Sequence, residues 1–198
     1  MCFSYIVWNP NPIFLKIGTI SVLWYSFLFA SGFIISRFVI FSIYRAEGRV
    51  RNNLDYLLLY IILGTVIGAR VGHVVFYEPF KYFNNPVSIL KIWEGGMSFH
   101  GALIGIIFGT YIFSIKKRVS TLFLLDIIAC VSPIGILLGR IANFINGELV
   151  GKVTDIYWSV IFPTVDMLPR HPSQLYEAVL EGVILFLILN TIIFKQRY

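Results

Sequence analysis

Five long apolar segments, separated by short polar and charged stretches, make up most of this chain. A helix that crosses a bilayer needs about 20 mostly apolar residues, and each segment has roughly that length. The last segment is the plainest, because AVLEGVILFLILNTIIF contains a single charged residue. The pattern therefore predicts five membrane-spanning helices. Their predicted ranges are 20–43, 54–76, 97–115, 122–141 and 175–194.

The composition supports this pattern and excludes an ordinary soluble protein. Hydrophobic residues make up 58% of the 198 residues and charged residues only 13%, and the mean hydropathy is +0.81. A soluble domain is typically about 45–50% apolar and about 25% charged. We therefore predict an all-α, polytopic integral membrane helix bundle. We expect residues 1–198 to form a single membrane domain, without a removable signal peptide.

The positive charges indicate how the chain is oriented. They do not form a basic face of the kind that binds nucleic acid, so no nucleic-acid partner is predicted. Lys and Arg instead follow the first, third and fifth predicted spans, and cytoplasmic loops carry an excess of these residues. The N-terminus is therefore predicted outside and the C-terminus inside. The residues concerned are Arg45, Arg49, Arg51, Lys116, Lys117, Arg118, Lys195 and Arg197.

This orientation places the segments 1–19, 78–96 and 142–174 on the outer side. The last of them contains VTDIYWSVIF, which has strand-like character, together with three prolines. Such a mixture is typical of a small folded loop region. We predict that 142–174 forms an extramembrane cap within the single domain.

Polar residues inside apolar helices are costly, and they usually face a cavity or the interior of the bundle. Here they gather near the predicted outer ends of the helices and in the outer loops. Arg140, Asn143 and Asn146 follow an i, i+3 spacing, so they share one helical face. We therefore predict one polar site that opens toward the outer leaflet. Its members include all three histidines and three arginines: His73, His100, His171, Arg70, Arg140 and Arg170.

Other conspicuous residues have structural explanations. Arg37 is expected to reach the cytoplasmic interface, Asp126 to form a hydrogen bond between helices, and Glu181 to reach the outer interface. Glycines at regular helical spacing are expected to permit close helix packing. They are Gly64, Gly68, Gly72, Gly105 and Gly109.

The residue types at the predicted site favour an anionic ligand. Arginine matches phosphate oxygens with two parallel hydrogen bonds, and the natural phosphate ligand at an outer membrane surface is a phospholipid head group. The histidines lie on separate segments without metal-ligand spacing, so no metal or cofactor is predicted. Two other functions remain open, lipid binding without catalysis and anion transport. Transport is less favoured, since the cytoplasmic half is mostly apolar apart from Arg37 and Asp126.

Three motifs carry a resemblance to a known family. GRIANFINGELVG at 139–151, WEGGMSFHGALIG at 93–105 and RHPSQLYEA at 170–178 closely resemble the bacterial prolipoprotein diacylglyceryl transferases. The pair WY at 24–25 and the stretch GARVGHVVFY at 68–77 agree with this resemblance. The similarity therefore extends from the first predicted helix to the fifth.

The resemblance implies an enzyme of the bacterial inner membrane with a site facing the periplasm. Its substrates would be phosphatidylglycerol and a prolipoprotein signal peptide within the membrane lipids. The diacylglyceryl group would pass to the lipobox cysteine thiol, with formation of a thioether and release of glycerol phosphate. The implied catalytic residues are His100, Arg140 and Tyr25. The implied phosphatidylglycerol-binding residues are Arg140, Asn143, Asn146, Glu148, Gly151, Arg170, His171 and Gln174, with Tyr176 and Glu177 in the same third motif. To these we add Arg70 from the predicted polar site.

Roles for these residues follow as a hypothesis. His100 would accept the thiol proton, Arg140 would neutralise the departing phosphate, and Glu148 would hold an arginine in place. The two asparagines would orient head-group oxygens. The family usually has seven spans and a further arginine downstream, so we expect a shortened member in which Arg70 or Arg170 replaces that arginine. The alternative is a catalytically impaired member that binds lipid.

Overall fold

The computed structural model describes residues 5–18, 20–46, 48 and 53–196. Arg49, Arg51 and Arg197, which contributed to the predicted orientation, lie outside these residues. The helices are α1 (Trp24–Ala46), α2 (Leu54–Phe76), α3 (Pro79–Asn84), α4 (Phe99–Lys117), α5 (Thr121–Asn146), α6 (Ser173–Glu177) and α7 (Leu185–Gln196). A π-helical segment, Ala178–Ile184, joins α6 to α7.

The prediction of five membrane spans is confirmed for the described part of the chain. The helices that are long and apolar enough to cross a bilayer are α1, α2, α4, α5 and the continuous stretch Ser173–Lys195. The span predicted at 122–141 is longer in the structure and ends at Asn146. Asn143 and Asn146 therefore lie on the last turns of α5, on the same helix as Arg140.

The first predicted span begins too early. Residues predicted as its first turn form strand β3 (Ile20–Leu23), which pairs antiparallel with β2 (Ile13–Ile17), and the helix begins only at Trp24. Gly18 lies between the strands with a φ of 61°, a left-handed conformation that glycine adopts without steric cost. A four-residue segment with three apolar residues fits a strand and a helix equally well, so the pairing with β2 determined the outcome.

The chain forms two compact units. We call residues 1–43 with 129–198 the terminal unit, and residues 44–128 the middle unit. In the middle unit, α2 packs on α4 through facing glycines. A Cβ at Gly68 would collide with the carbonyl oxygen of Gly101, and a Cβ at Gly72 would lie 2.7 Å from the Cα of Gly101. The predicted glycine-mediated packing is confirmed here.

In the terminal unit, α5 contains Pro133, which cannot donate a hydrogen bond to the carbonyl of Ala129. The hydroxyl of Ser132 donates to that carbonyl at 3.0 Å. One residue further on, the Asn190 amide donates to the carbonyl of Cys130, also at 3.0 Å. Side chains thus satisfy the backbone around the proline, and the second of these bonds joins α7 to α5.

The predicted strand character of the last outer segment is confirmed over a short length. Strand β4 (Val160–Ile161) pairs in parallel with β1 (Ile6–Val7) and antiparallel with β5 (Pro169–Arg170). The indole nitrogen of Trp8, just after β1, donates to the Phe144 carbonyl at the end of α5 over 2.9 Å. This small sheet is therefore tied to the helix end that carries the arginine and asparagine motif.

Candidate functional site

Arg140 lies in the last two turns of α5 and is paired with two carboxylates. Its Nη2 is 2.7 Å from Oε2 of Glu177 and 3.8 Å from Oε2 of Glu181. These glutamates are four residues apart on either side of the start of the π-helical segment, so one face presents both of them. Because the Arg140 side chain retains 29% of its exposure, an anion can approach the N–H groups that Glu177 does not occupy.

Glu148 follows the end of α5 and accepts hydrogen bonds from two asparagine amides. Asn143 donates to Oε2 at 3.2 Å and Asn146 donates to Oε1 at 3.3 Å. Glu148 was expected to hold an arginine in place, and this expectation needs correction, since the carboxylates beside Arg140 are Glu177 and Glu181. The chain reverses through Gly147, whose φ of 67° lets the Glu148 side chain fold back on the helix.

Gln174 connects this loop to the last span. It is fully buried, and its amide donates to the Glu148 carbonyl at 2.6 Å. The neighbouring Ser173 hydroxyl donates to the carbonyl of Leu149 at 3.0 Å, where Leu149 has an unusual positive φ of 53°. Among the described residues, no protein donor reaches the buried Oε1 of Gln174 or Oδ1 of Asn146.

Arg170 and Gly151 form a second cluster in the cap. Arg170 donates through Nε to the Asp166 carboxylate at 3.1 Å and through Nη1 to the Gly151 carbonyl at 3.0 Å. The hydrogen bond from Arg170 lowers the pKa of Asp166, and the same bond raises the pKa of Arg170. Gly151 packs against His171 so closely that a Cβ would lie 2.7 Å from its carbonyl oxygen.

Next to this cluster, the Tyr176 hydroxyl joins two aromatic side chains. It lies 3.3 Å from Nδ1 of His171 and accepts a hydrogen bond from the Trp158 indole at 2.6 Å. Asp166 and Trp158 were not predicted as part of this region, because nothing in their spacing connects them to the motif at 170–178.

The middle unit contains Arg70 and His73 near the end of α2. Arg70 is buried, and its guanidinium donates hydrogen bonds to five backbone carbonyls. His73 lies 3.6 Å from Oε2 of Glu78, and its ring stacks on Tyr77. The pKa of Glu78 lies below its ordinary value, and the largest cause is a hydrogen bond from Lys81. Arg70 is thus engaged as a backbone anchor, and its role as a phosphate ligand stays a prediction.

His100 and Tyr25 each lie in the first turn of a span. His100 is exposed on α4, whose first turn is capped by the Ser98 hydroxyl accepting from the Gly101 amide at 3.2 Å. Tyr25 on α1 is 41% exposed, and its ring stacks on Phe29 at 6.5 Å. Both side chains are accessible to a substrate.

The structure thus brings the predicted residues together in groups. In the terminal unit, Asn143, Asn146 and Gln174 meet at Glu148, and Gly151, Arg170 and His171 form the second cluster. That all of them share one site with His100 stays a prediction. Glu181, which was expected only to reach the interface, is a further member of the Arg140 group. Within the described residues, no three His, Cys, Asp or Glu side chains converge as metal ligands.

Comparisons with known proteins add an independent finding. Residues 12–198 match the family model described as prolipoprotein diacylglyceryl transferase. A protein from Rickettsia felis named phosphatidylglycerol–prolipoprotein diacylglyceryl transferase is 47% identical over 191 residues, covering 96% of this chain and 74% of the relative. A protein of the same name from Rickettsia typhi is 48% identical over 95% of this chain and 73% of its own length. The chain thus spans about three quarters of the relatives it matches.

Proposed function

Because this chain belongs to the prolipoprotein diacylglyceryl transferase family, we propose that it transfers the diacylglyceryl group of phosphatidylglycerol to a prolipoprotein. It is a multi-pass membrane protein and a transferase. The acceptor in this proposal is the thiol of the lipobox cysteine, and the product is a thioether. The site faces the periplasm from the inner membrane, with the N-terminus outside.

The observation that carries this proposal is the setting of Arg140. A guanidinium at the end of an apolar span is held by Glu177 at 2.7 Å and retains 29% of its side-chain exposure. A phosphate at head-group depth offers the same paired oxygens as that carboxylate, and arginine binds both geometries. Arg140 is therefore oriented by Glu177 before the lipid arrives, and its remaining N–H groups can bind the phosphate.

The unpaired acceptors nearby support a glycerol head group. Oδ1 of Asn146 and Oε1 of Gln174 are buried and lack a donor among the described residues. Leaving a buried acceptor unsatisfied costs about 1–3 kcal/mol, so a ligand that brings hydroxyl donors would be favoured. The glycerol head group of phosphatidylglycerol carries two free hydroxyls, which suits these two atoms.

The proposed reaction is a displacement at the glyceryl carbon that carries the phosphate ester. A thiol must become a thiolate to be a good nucleophile, and His100 accepts its proton. The sulfur–carbon bond then forms as the carbon–oxygen bond breaks, and the electrons of that bond leave with the phosphate oxygen of glycerol phosphate. Arg140 stabilises the charge that develops on this oxygen. Tyr25 is proposed to contact the reacting groups from the first turn of α1.

The other predicted residues are proposed to shape the binding region. Asn143 and Asn146 hold the Glu148 carboxylate, so that the amides and the backbone of this loop are placed for head-group oxygens. Gly151 admits the close approach of the 170–178 motif, and Arg170 and His171 lie within that motif. Arg170 has N–H donors that are not used by Asp166 or Gly151, and these donors are available to a phosphate.

The proposal is tested by incubating the purified chain in phosphatidylglycerol nanodiscs with a lipobox peptide and measuring the peptide mass. We expect a diacylglyceryl mass increase with wild type and a loss of about 100-fold or more in rate for Arg140→Ala and His100→Gln. A peptide in which serine replaces the lipobox cysteine should stay unmodified. An absent mass increase with folded wild type would refute the proposed activity, and full activity of either variant would remove that residue from the mechanism.

A further inference from the structure

The guanidinium of Arg70 uses all of its donors on the backbone of one segment. An arginine has five N–H groups, and here Nε donates to the carbonyl of Ile89, Nη1 to Gly95 and Gly96, and Nη2 to Ser88 and Lys91. The residue is 4% exposed, and its Cζ lies 5.0 Å from the centre of the Tyr82 ring. The side chain is therefore fully engaged inside the middle unit.

The segment that receives these bonds has little regular structure of its own. It consists of two 3₁₀ turns, Pro86–Leu90 and Ile92–Glu94, followed by Gly95 and Gly96 with φ values of 83° and 76°. Short 3₁₀ turns and positive-φ glycines leave carbonyls without backbone partners. A Cβ at Gly96 would lie 2.6 Å from Nε2 of His73, so the segment presses directly on α2.

The same turn of α2 also holds the beginning of α4. The Ser98 amide donates to the carbonyl of Ala69 at 2.9 Å, and Gly72 contacts Gly101. Ser98 then caps the helix, and His100 lies in its first turn. Ala69, Arg70 and Gly72 of α2 therefore contact the chain on both sides of Met97. The segment between the Arg70 guanidinium and His100 is held in place along its length.

We propose that Arg70 is a positioning residue for the transfer reaction, which holds the segment 88–96 and thereby fixes His100 in the first turn of α4. This inference rests on the proposed function, in which His100 accepts the thiol proton. A misplacement of about 1 Å by a change away from the reacting atoms can reduce a rate about 100-fold. Arg70 acts through the backbone and makes no contact with the phosphate in this assignment.

The experiment compares Arg70→Lys with wild type, both as the full chain in phosphatidylglycerol nanodiscs. Lysine keeps the positive charge but offers three donors on a compact head, so it cannot bind five carbonyls in a fork. We expect kcat to fall about 10- to 100-fold while KM for phosphatidylglycerol changes less than about 3-fold. Hydrogen exchange at the amides of Lys91, Gly95 and Ser98 should accelerate about 10-fold or more.

Arg118→Lys is the matched control, because Arg118 is an exposed arginine at the opposite end of α4. It should change neither kcat nor the exchange of the segment 88–98. A second measurement is a chemical rescue: methylguanidinium is added to Arg70→Ala. It should restore part of the lost rate and part of the lost exchange protection. A purely destabilising mutation would not respond to the added guanidinium.

Three results would overturn the inference. An increased KM with unchanged kcat and unchanged exchange at 88–98 would make Arg70 a lipid ligand. Faster exchange spread evenly over α2 and α4 would make it a general stabilising residue. Unchanged kcat in Arg70→Lys with active wild type would remove the positioning role while leaving the proposed function intact, whereas inactive wild type would refute the proposed function first.

Discussion

At the scale of single residues, the two carboxylates beside Arg140 differ in a way that can be measured. Glu177 is at 2.7 Å, within hydrogen-bond distance, whereas Glu181 at 3.8 Å contributes only through its charge. We predict that Glu177→Gln lowers kcat/KM for phosphatidylglycerol about 10-fold, because Arg140 loses the charged partner that orients it and keeps at most a weaker, neutral acceptor. The matched change Glu181→Gln should have less than about 3-fold effect, since a solvent-exposed charge pair contributes little.

Both glutamine variants keep the size of the side chain and can be compared by the same peptide mass assay. An effect of Glu181→Gln equal to or larger than that of Glu177→Gln would contradict the assignment of Glu177 as the orienting partner. It would instead indicate that the summed negative charge near Arg140 is what the reaction requires.

A second residue-scale prediction concerns Asp166 in the cap. The hydrogen bond from Arg170 lowers its pKa below the ordinary value of about 3.9. A carboxylate with a lowered folded-state pKa stabilises the fold above its unfolded pKa, and this contribution is lost as the pH falls through the folded pKa. Asp166→Asn should therefore loosen the cap at pH 7, and its difference from wild type should shrink as the pH falls below about 4, disappearing only once the pH is below the lowered folded-state pKa of Asp166.

The measurement is hydrogen exchange of the peptide covering 166–171 in detergent between pH 7 and pH 3, corrected for intrinsic rates. Asp155→Asn changes a different carboxylate of the cap, which is exposed, and serves as the control. If wild type and Asp166→Asn still differed at pH 3 as much as at pH 7, the ion pair would not be the source of the effect.

The residues of the site could be predicted only in part, for physical reasons. The motif at 139–151 is contiguous, so its helical stripe and its asparagines were apparent from spacing alone. The partner of Arg140 lies 37 positions further on, and no periodicity connects residues of two different helices. Arg70 was equally hard to interpret, because its partners are carbonyls, which every residue carries. Side-chain types therefore predicted where polar chemistry gathers but not which atoms pair.

At the scale of elements, the contact of α2 with α4 depends on glycine. A Cβ at Gly68 would collide with the Gly101 carbonyl and lie 2.8 Å from the Cα of Gly105. We predict that Gly68→Val forces the two helices apart and lowers the midpoint of thermal unfolding in detergent, since overpacking typically costs about 1–3 kcal/mol. The loss of close backbone contact between small residues adds to this cost.

Gly135→Ala in α5 is the control for the loss of a glycine. A Cβ at Gly135 meets nothing within 4 Å, and alanine is preferred over glycine in a helix by about 1 kcal/mol. This variant should unfold at the same temperature as wild type or slightly above it. An unchanged midpoint in Gly68→Val would mean that the helices can separate without loss of stability.

The existence of the membrane-spanning helices could be predicted from segment length and hydropathy. The residues at which the helices begin and end were harder to predict. The range of α2 matches its prediction, since polar residues bound that apolar segment on both sides. The predicted start of α1 was wrong by four residues, because ISVL pairs with strand β2. The π-helical segment Ala178–Ile184 had no sequence signal either. Within this segment, a Cβ at Gly182 would lie 2.7 Å from Cβ of Leu137 in α5. This contact between two helices cannot be inferred from the local sequence.

At the scale of the whole molecule, the proposed reaction requires one orientation in the membrane. Loop charges predict that α3 and the cap lie outside and that the turn between α4 and α5 lies inside. Phosphatidylglycerol and the lipobox thiol would then meet the 139–151 motif from the periplasmic side. This orientation is predicted from the loop charges, and labelling from one side of the membrane tests it.

Single cysteines provide that test. Cys2 and Cys130 are the native cysteines, and with both replaced, Asn84→Cys in α3, Asp155→Cys in the cap and Ser120→Cys before α5 each introduce one exposed thiol. We predict that an impermeant maleimide labels the first two in intact spheroplasts and labels Ser120→Cys only after lysis. Each variant must retain transfer activity, which ensures that the labelled protein is folded. Labelling of Ser120→Cys in intact cells, with Asp155→Cys protected, would invert the topology and place the Arg140 motif on the wrong side for a periplasmic acceptor.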